Sequence, residues 1–489
     1  MSVDAILQET TICRRRQKLD AMTDGLGLGG AYSETLGRIK GQNGSKSGLG
    51  MAALMWISHS ERPLKADELC HALGVEIGSP DFNSNNIPSI ARLLSCCQGL
   101  VAVDKEASTV RLIHFTLQEY LRAHPDLFGR AHSAMAETCL SYLNSHQVKA
   151  LSSSISPDLR SIPFLEYSSL YWGVHAKRDL SDCAKQLALK LFDDCNNHIS
   201  TEILLRREKP VHIDLFFDEL FLFSCLHSAS CFGIAEIVTS LVEVGGFDVN
   251  QTDCIGSTPL VWAAKNGHEE VVRILLGQDG INPDKPNQCG ETPLWCAAFY
   301  RNEGVVKILL RRDDINPDRP NREGQTPLWC AASSGHEEVA KILLARGNIN
   351  PDKPDKYGAT PLWCAASSGH EGVVKILLGR DDVNPNKSDI SGKTPLLCAS
   401  QNGHEGVVKL LIGQDDIRPD KPDNNDETLL LCADDGCERA AKIRPGPDAV
   451  RPDKPGTDRR NALQRAAKRT QARIRALLQR ASSATPGPA

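Results

Sequence analysis

Thr258-Pro259-Leu260 returns as Thr292-Pro293-Leu294, Thr326-Pro327-Leu328, Thr360-Pro361-Leu362 and Thr394-Pro395-Leu396, one copy every 34 residues. Five copies in strict register mark an internal repeat, and the chemistry inside one period says what that repeat must be. A threonine hydroxyl caps a helix N-terminus, and the proline after it fills the first helical position, where no amide hydrogen is needed. Gly267, Gly335, Gly369 and Gly403 then end a short helix. A second apolar stretch follows, as in Val271-Val272-Arg273-Ile274-Leu275-Leu276, and after it Asn282-Pro283-Asp284-Lys285-Pro286, whose prolines and aspartate turn the chain. The unit is therefore helix, turn, helix, projecting loop, and such units bury their apolar faces by stacking on one another.

These residues resemble the ankyrin repeat, with its pattern Thr-Pro-Leu-His-x-Ala-Ala, then Gly-His, then a Val-Val-x-x-Leu-Leu helix. The likeness runs from Thr258 to about Ile417. Trp295, Trp329 and Trp363 stand where the family has His, and the 34-residue period exceeds the usual repeat of about 33 through a longer loop. Neither departure threatens the fold. Ser224-Cys225-Leu226-His227-Ser228-Ala229 lies one period before Thr258 and reads as a leading repeat; Thr428-Leu429-Leu430 lies one period after Thr394. In that last unit the second helix reads Ala440-Ala441-Lys442-Ile443-Arg444-Pro445, and an interior proline costs about 3 kcal/mol, so a frayed stretch is expected from about Lys442 to Arg460. Leu463, Ala466, Ile474, Leu477 and Leu478 could form a capping helix over Ala462 to Arg480. Arg465, Lys468, Arg469, Arg473, Arg475 and Arg480 make that segment basic, which reads as a solvated face or, alternatively, a contact for an acidic partner or nucleic acid.

The N-terminal half follows another pattern. Helices are expected at Leu49 to Ile57, at Leu64 to Leu73 between Pro63 and Gly74, and at Ile90 to Cys97 before Gly99. Val101 and Val103 then alternate with Val110 and Leu112 around the turn Asp104 to Ser108, which fits a hairpin with one buried face. Thr116-Leu117-Gln118-Glu119 has the form of a capping box opening a helix through Leu121. Three helices and a hairpin are the order of a winged helix. The stretches Leu49 to Ile57 and Val110 to Leu121 are similar to the winged-helix module, labelled after GPI inositol-deacylase, that follows the NACHT nucleotide-binding domain in fungal NACHT-ankyrin proteins. Leu19 to Met22 and Tyr32 to Ile39 look like the last helices before it, and Pro163 to Tyr167 and Tyr171 to His175 like a helical connector after it, so the likeness covers about Arg15 to Leu205.

The expected fold is mainly α: a winged helix with a small β-wing, a helical connector, then an ankyrin-repeat solenoid. The expected boundaries are 1–47 for a remnant of preceding helices, 48–128 for the winged helix, 129–220 for the connector, 221–443 for the repeats and 444–489 for a degenerate last repeat with basic cap and tail. A chain of 489 residues has room for about three such domains. With a net charge of -5 and a pI near 6.3, it has no bulk attraction to nucleic acid or anionic membrane. No window approaches the roughly 18 apolar residues of a membrane span, and Met1 to Arg16 lacks a signal's apolar run. Its 17 cysteines, an odd number without tight pairs, suit buried thiols in a reducing compartment, so the expected location is the cytoplasm, with the nucleus also open.

The NACHT likeness prompts a search for the phosphate-cradling GxxxxGK[ST] loop, which is absent. Its nearest lookalike, Gly41 to Ser47, has Ser45 where glycine must precede Lys46, and reads as a flexible loop. The resemblance implies a nucleotide-binding domain before residue 1, hence a truncated relative or a gene whose start is placed late, and no ATP is expected in this chain. Cys296, Cys330, Cys364, Cys398 and Cys432 recur, but equivalent residues of stacked helices lie about 8 to 10 Å apart, too far to share zinc. They read as core thiols, and no metal or cofactor is expected. His268, His336, His370 and His404 recur without a catalytic partner and read as hydrogen-bonding residues of the inter-helix turn. For DNA reading, the third winged-helix segment offers only Arg92, and the wing balances Lys105 and Arg111 with Asp104 and Glu106, so packing against neighbouring domains is the better role.

Solenoids bind through side chains that vary from unit to unit on one extended concave surface. By ankyrin analogy these positions flank the loop glycine (Gln288, Glu291, Arg322, Gln325, Lys356, Tyr357, Ile390, Lys393) and end the first helix (Phe299, Tyr300, Ser333, Ser334, Ser367, Ser368, Gln401, Asn402). Phe299, Tyr300 and Tyr357 stand out as aromatic anchors. The expected function is a non-catalytic protein-interaction or ligand-sensing scaffold, related to NACHT-ankyrin receptors of self/non-self recognition, with an unidentified protein or ligand as partner and no membrane. The alternatives are part of a nucleotide-switched signalling NTPase whose P-loop domain is missing, and a winged-helix DNA-binding regulator.

Overall fold

The computed structural model describes residues 28–104, 106–151, 162–193, 198–200, 203–204, 223–244, 247–419 and 421–425. The segment Leu19 to Met22, the repeat at Thr428 with Cys432, the stretch Lys442 to Arg460 and the basic segment Ala462 to Arg480 lie outside the described residues. The chain forms two compact units, divided between Cys254 and Ile255.

The first unit opens with α1 (Leu28–Lys40), α2 (Ser45–His59), α3 (Ala66–Gly74) and α4 (Ile90–Cys96), followed by β1 (Val101–Val103), β2 (Val110–Leu112) and α5 (Phe115–Ala123). The strands pair antiparallel, with Val101 opposite Leu112 and Val103 opposite Val110. This is the winged-helix order, and three details differ from the sequence reading. Helix α2 begins at Ser45, so Lys46 and Ser47 of the P-loop lookalike sit in its first turn, behind a helix and not a strand. Leu64 is not helical. Its carbonyl accepts the Val110 amide at 2.8 Å and Lys65 bridges to Thr109, so the approach to α3 is drawn out along the wing. Thr116 does not cap α5. His114 Nδ1 accepts the Thr116 amide instead, and the Thr116 hydroxyl lies 2.7 Å from Tyr32 Oη of α1.

Gly50 lets α2 approach α4 closely, since a Cβ there would stand 2.8 Å from the Cys96 carbonyl oxygen. On its other face α2 inserts Trp56 edge-on against Phe164 and Tyr167, with centroids 5.5 and 5.9 Å away. Those rings belong to α8 (Leu165–Arg178) and the residue before it; α8 packs along α6 (Ala131–Leu143), with the short α7 (His146–Lys149) between them in sequence and α9 (Asp182–Asp193) against α6. The unit ends with α10 (Cys225–Phe232) and α11 (Ala235–Val244), a helix pair in repeat register. Phe232 of α10 fills the space over Gly173, and its ring lies 5.0 Å from Trp172. The leading repeat thus closes the connector's core.

The described residues of the second unit form five helix pairs and the loops between them, beginning with α12 (Pro259–Lys265) and α13 (Glu269–Leu276), α14 (Pro293–Phe299) and α15 (Glu303–Leu309), α16 (Pro327–Ser333) and α17 (Glu337–Leu344), and α18 (Pro361–Ser368) and α19 (Glu371–Leu378). The fifth pair is α20 (Pro395–Gln401) with α21 (Glu405–Ile412). Every first helix has Thr at the N-cap and Pro behind it, and each cap oxygen accepts the amide three residues on, as Thr360 does from Trp363 at 3.1 Å. First helices pack on first helices and second on second, the stacking of an ankyrin array. Leu294, Leu328, Leu362, Val306, Ala340 and Val374 are fully buried between them.

Polar bonds lock successive repeats. The indole Nε1 of Trp295, Trp329 and Trp363 donates to the carbonyls of Gln325, Ala359 and Lys393, at 3.0, 3.1 and 2.9 Å. The family's histidine position is thus filled by a donor that ties its repeat to the next. His336, His370 and His404 reach back instead, Nε2 donating to the carbonyls of Phe299, Ser333 and Ser367 at 3.1, 3.0 and 3.0 Å. Their role is hydrogen bonding, as the sequence suggests, but across the repeat boundary and not within their own turn. At the second repeat the helix-ending glycine is replaced by Arg301, held at φ 61°. On the projecting loops Lys353, Lys387 and Lys421 donate Nζ to main-chain carbonyls of Asp318, Asp352 and Asn386 at 2.8, 2.7 and 3.1 Å.

A candidate protein-binding face on the repeats

The sixteen variable positions fall on two adjoining parts of the second unit: the tips of the loops before each first helix, and the C-terminal ends of those helices. An Asx residue organises each tip. Asn287, Asn321, Asp355 and Asp389 accept, through Oδ1, the amides two and four residues on, at 2.8 to 3.0 Å. Successive tips are joined by backbone bonds: the amides of Gln288, Arg322, Lys356 and Ile390 donate to the carbonyls of Ile255, Cys289, Glu323 and Tyr357 at 2.8 to 3.0 Å. These four positions are therefore equivalent, exposed and rigidly spaced.

Several of the sixteen residues are engaged within the framework. Glu291 accepts from Asn287 Nδ2 at 2.8 Å and Gln325 from Asn321 Nδ2 at 2.9 Å. Lys393 Nζ donates to Gln401 Oε1 at 3.0 Å, and Asn402 Nδ2 to the Ser367 carbonyl at 2.7 Å. The Ser333 and Ser367 carbonyls are those taken by His370 and His404. Ser334 is half-buried, and Ser368 is exposed at the end of α18.

The large apolar side chains behave differently. Phe299, Tyr300, Tyr357 and Ile390 are 41, 46, 52 and 65 % exposed, although each grows from a rigid helix end or tip. Phe299 stacks flat on buried Trp295 at 5.3 Å and meets Tyr300 edge-on at 5.1 Å. Cations flank them: Lys265 Nζ stands 4.8 Å from the Trp262 ring and 5.6 Å from the Tyr300 ring, and Lys356 Nζ 5.0 Å from the Tyr357 ring. Lys356 also pairs with Glu323. Lys265 was missed as a site residue, yet it lies one period before Phe299, so the register alone could have found it.

Such a surface can bury rings and place positive charge beside them. Cys296, Cys330, Cys364 and Cys398 are buried thiols, and burial pushes the first three well up, away from the thiolate that a metal needs. Among the described residues, no group of three metal-ligating side chains forms. In the winged helix, Arg92 donates to Ser45 Oγ at 3.1 Å and Arg111 pairs with Asp104 at 3.4 Å, so both cations are drawn into local contacts. No helix among the described residues is long and apolar enough to cross a membrane.

The chain matches the family model for the GPI inositol-deacylase winged helix domain over residues 39–133. It matches the models for ankyrin repeats over 226–321 and 314–389, and a single ankyrin repeat over 391–424. A winged helix of this type followed by ankyrin repeats is thus the architecture of the chain. Among solved structures, the ankyrin repeat domain of human ASB11 is similar at 25% identity, covering 45% of this chain and 98% of that one with a TM-score of 0.39. No curated protein matches.

Proposed function

We propose that the chain is a non-catalytic scaffold that takes a protein partner on the concave surface of its ankyrin repeats, with Phe299, Tyr300 and Tyr357 as anchors. Ankyrin repeats support a protein-interaction role, and partners of such repeats are proteins. The observation that carries the finer reading is the exposure of Phe299 and Tyr300 at the end of α14. That helix is fixed by its Thr292 cap and by the Trp295 bond to the next repeat, so the rings are presented from a backbone that need not order on binding. Arg322, Gln288 and Ile390 extend the surface along the loop tips, and the lysines beside the rings favour acidic groups on the partner.

The winged helix of the GPI inositol-deacylase type supports a relationship to NACHT-ankyrin receptors of the self/non-self recognition kind. Buried thiols in the repeats support a reducing compartment, the cytoplasm with the nucleus also open. The test is partner capture by the full chain and by Phe299→Ala with Tyr300→Ala. Helicity by circular dichroism should be unchanged, and partner affinity should fall by about 1 kcal/mol or more. Equal affinity in the two proteins removes these rings from the site.

A further inference from the structure

Four helices of the first unit meet around a polar cleft of about 470 Å³, lined by His59, Ser60, Glu61, Arg122, His132 and Arg178. α2 supplies His59 at its C-terminal end, the following turn Ser60 and Glu61, α5 Arg122, α6 His132 and α8 Arg178. Arg178 pairs with Glu61 through both arms of the fork, so that carboxylate is already neutralised. Arg122 is anchored by Nε donating to the Ser58 carbonyl at 3.2 Å and is the excess positive charge of the cleft.

A directed hydrogen-bond chain fixes the proton of His132. The Glu61 amide donates to Tyr167 Oη at 3.2 Å, so the phenol proton is turned to His175 Nε2, 2.9 Å away. His175 then carries its own proton on Nδ1 and donates it to His132 Nδ1 at 2.9 Å. Neutral His132 is left with its proton on Nε2, a donor on a ring that lines the cleft. His59 has the opposite tautomer, because its Nδ1 donates to the Met55 carbonyl at 3.1 Å and leaves Nε2 bare. On protonation His59 gains a second donor.

We propose that this cleft binds a small oxyanion of the phosphate or sulfate class, held by the Arg122 guanidinium and His132 Nε2–H, and that binding is coupled to proton uptake by His59. The charged and titratable groups around the two rings are Glu61 and Arg62 of the turn, Arg122, and Tyr167, His175 and Arg178 of α8. Beyond them stands Asp179, which is paired with Arg130. Burial is the chief cause holding both rings below the ordinary histidine value; Arg122 and Arg178 add to it at His59, and Arg178 and His59 at His132, while Glu61 and Asp179 oppose it at His132. An arriving anion offsets the positive charge and favours protonated His59, so by linkage the anion binds more tightly as pH falls.

The test is calorimetric titration of the full chain with sulfate, which stays a dianion across the range, at about pH 5.5 and about pH 7.5 and constant ionic strength. Saturable binding, tighter severalfold at the lower pH, is expected. Arg122→Gln should weaken it roughly tenfold, and His59→Gln should flatten the pH dependence. If Arg122→Gln fails to fold, Arg122→Lys, which keeps the charge and loses the planar fork, should weaken binding by a smaller factor. Absence of saturable binding at both pH values, or wild-type affinity in the folded Arg122 variant, overturns the assignment; binding of equal strength at both pH values overturns the coupling.

Discussion

Gly369 and His404 fit one another across a repeat boundary: a Cβ on Gly369 would stand 2.6 Å from His404 Nδ1, while His404 Nε2 donates to the Ser367 carbonyl at 3.0 Å. Gly335 clears His370 in the same way, and Gly267 clears Asn302, which replaces histidine in the second repeat and donates to the Ala264 and Lys265 carbonyls at 2.8 Å. Gly335 and Gly369 therefore end their own helices and also make room for the next repeat's histidine ring, as Gly267 does for the Asn302 amide.

Gly369→Ala should then suffer twice, from φ of +80° and from the ring. The expected loss is about 2 kcal/mol or more in chemical denaturation. Gly280, at φ +75° with no described atom in reach of a Cβ, isolates the backbone part: Gly280→Ala should cost only about 1 to 2 kcal/mol.

Arg301 offers the reverse change. It holds the left-handed conformation that glycine holds at Gly267, Gly335 and Gly369, and its ion pair with Glu303 is long, at 3.8 Å, and exposed. Arg301→Gly should stabilise the chain by about 0.5 to 1 kcal/mol, since relief of the strained φ outweighs a surface pair and the entropy of a new glycine. A midpoint at or below wild type in urea would count against this reading.

Asp284, Asp318 and Asp352 stack from repeat to repeat, each with a buried Oδ1 that has no partner, and burial raises each carboxyl above its ordinary range. The fourth repeat has Asn386 there, whose Nδ2 donates to the Asp416 carbonyl at 2.7 Å. A raised folded value means that the ionised aspartate opposes folding at neutral pH and ceases to do so as pH falls below the ordinary carboxylate range. Asp352→Asn should therefore stabilise at neutral pH, by less than about 1 kcal/mol because solvent screens a half-exposed carboxylate. The gain should shrink on acidification; stability curves at several pH values read it directly.

The 34-residue register was legible because Thr-Pro-Leu carries its own cap chemistry, and it located the helices of the second unit closely. The bonds between repeats were not legible: Trp295 finds its acceptor 30 residues on and His404 its acceptor 37 residues back, distances at which no local pattern speaks. At α5 two local patterns competed. Thr116 and Glu119 have capping-box spacing, but Tyr32, 84 residues earlier, takes the Thr116 hydroxyl and leaves the cap to His114. Of the variable positions, chain register gave the placement at loop tips and helix ends. Which side chains stay exposed depended on neighbours such as Asn321 and Gln401, which only packing reveals.

Crosslinking from within the full chain tests the scaffold reading most directly. A photoreactive amino acid placed at Tyr300 or Tyr357 should yield covalent adducts with the bound partner, and the same group at Lys375, exposed on the second helix of its repeat, should yield none. Adducts from Lys375 with none from Tyr300 or Tyr357 would contradict the account.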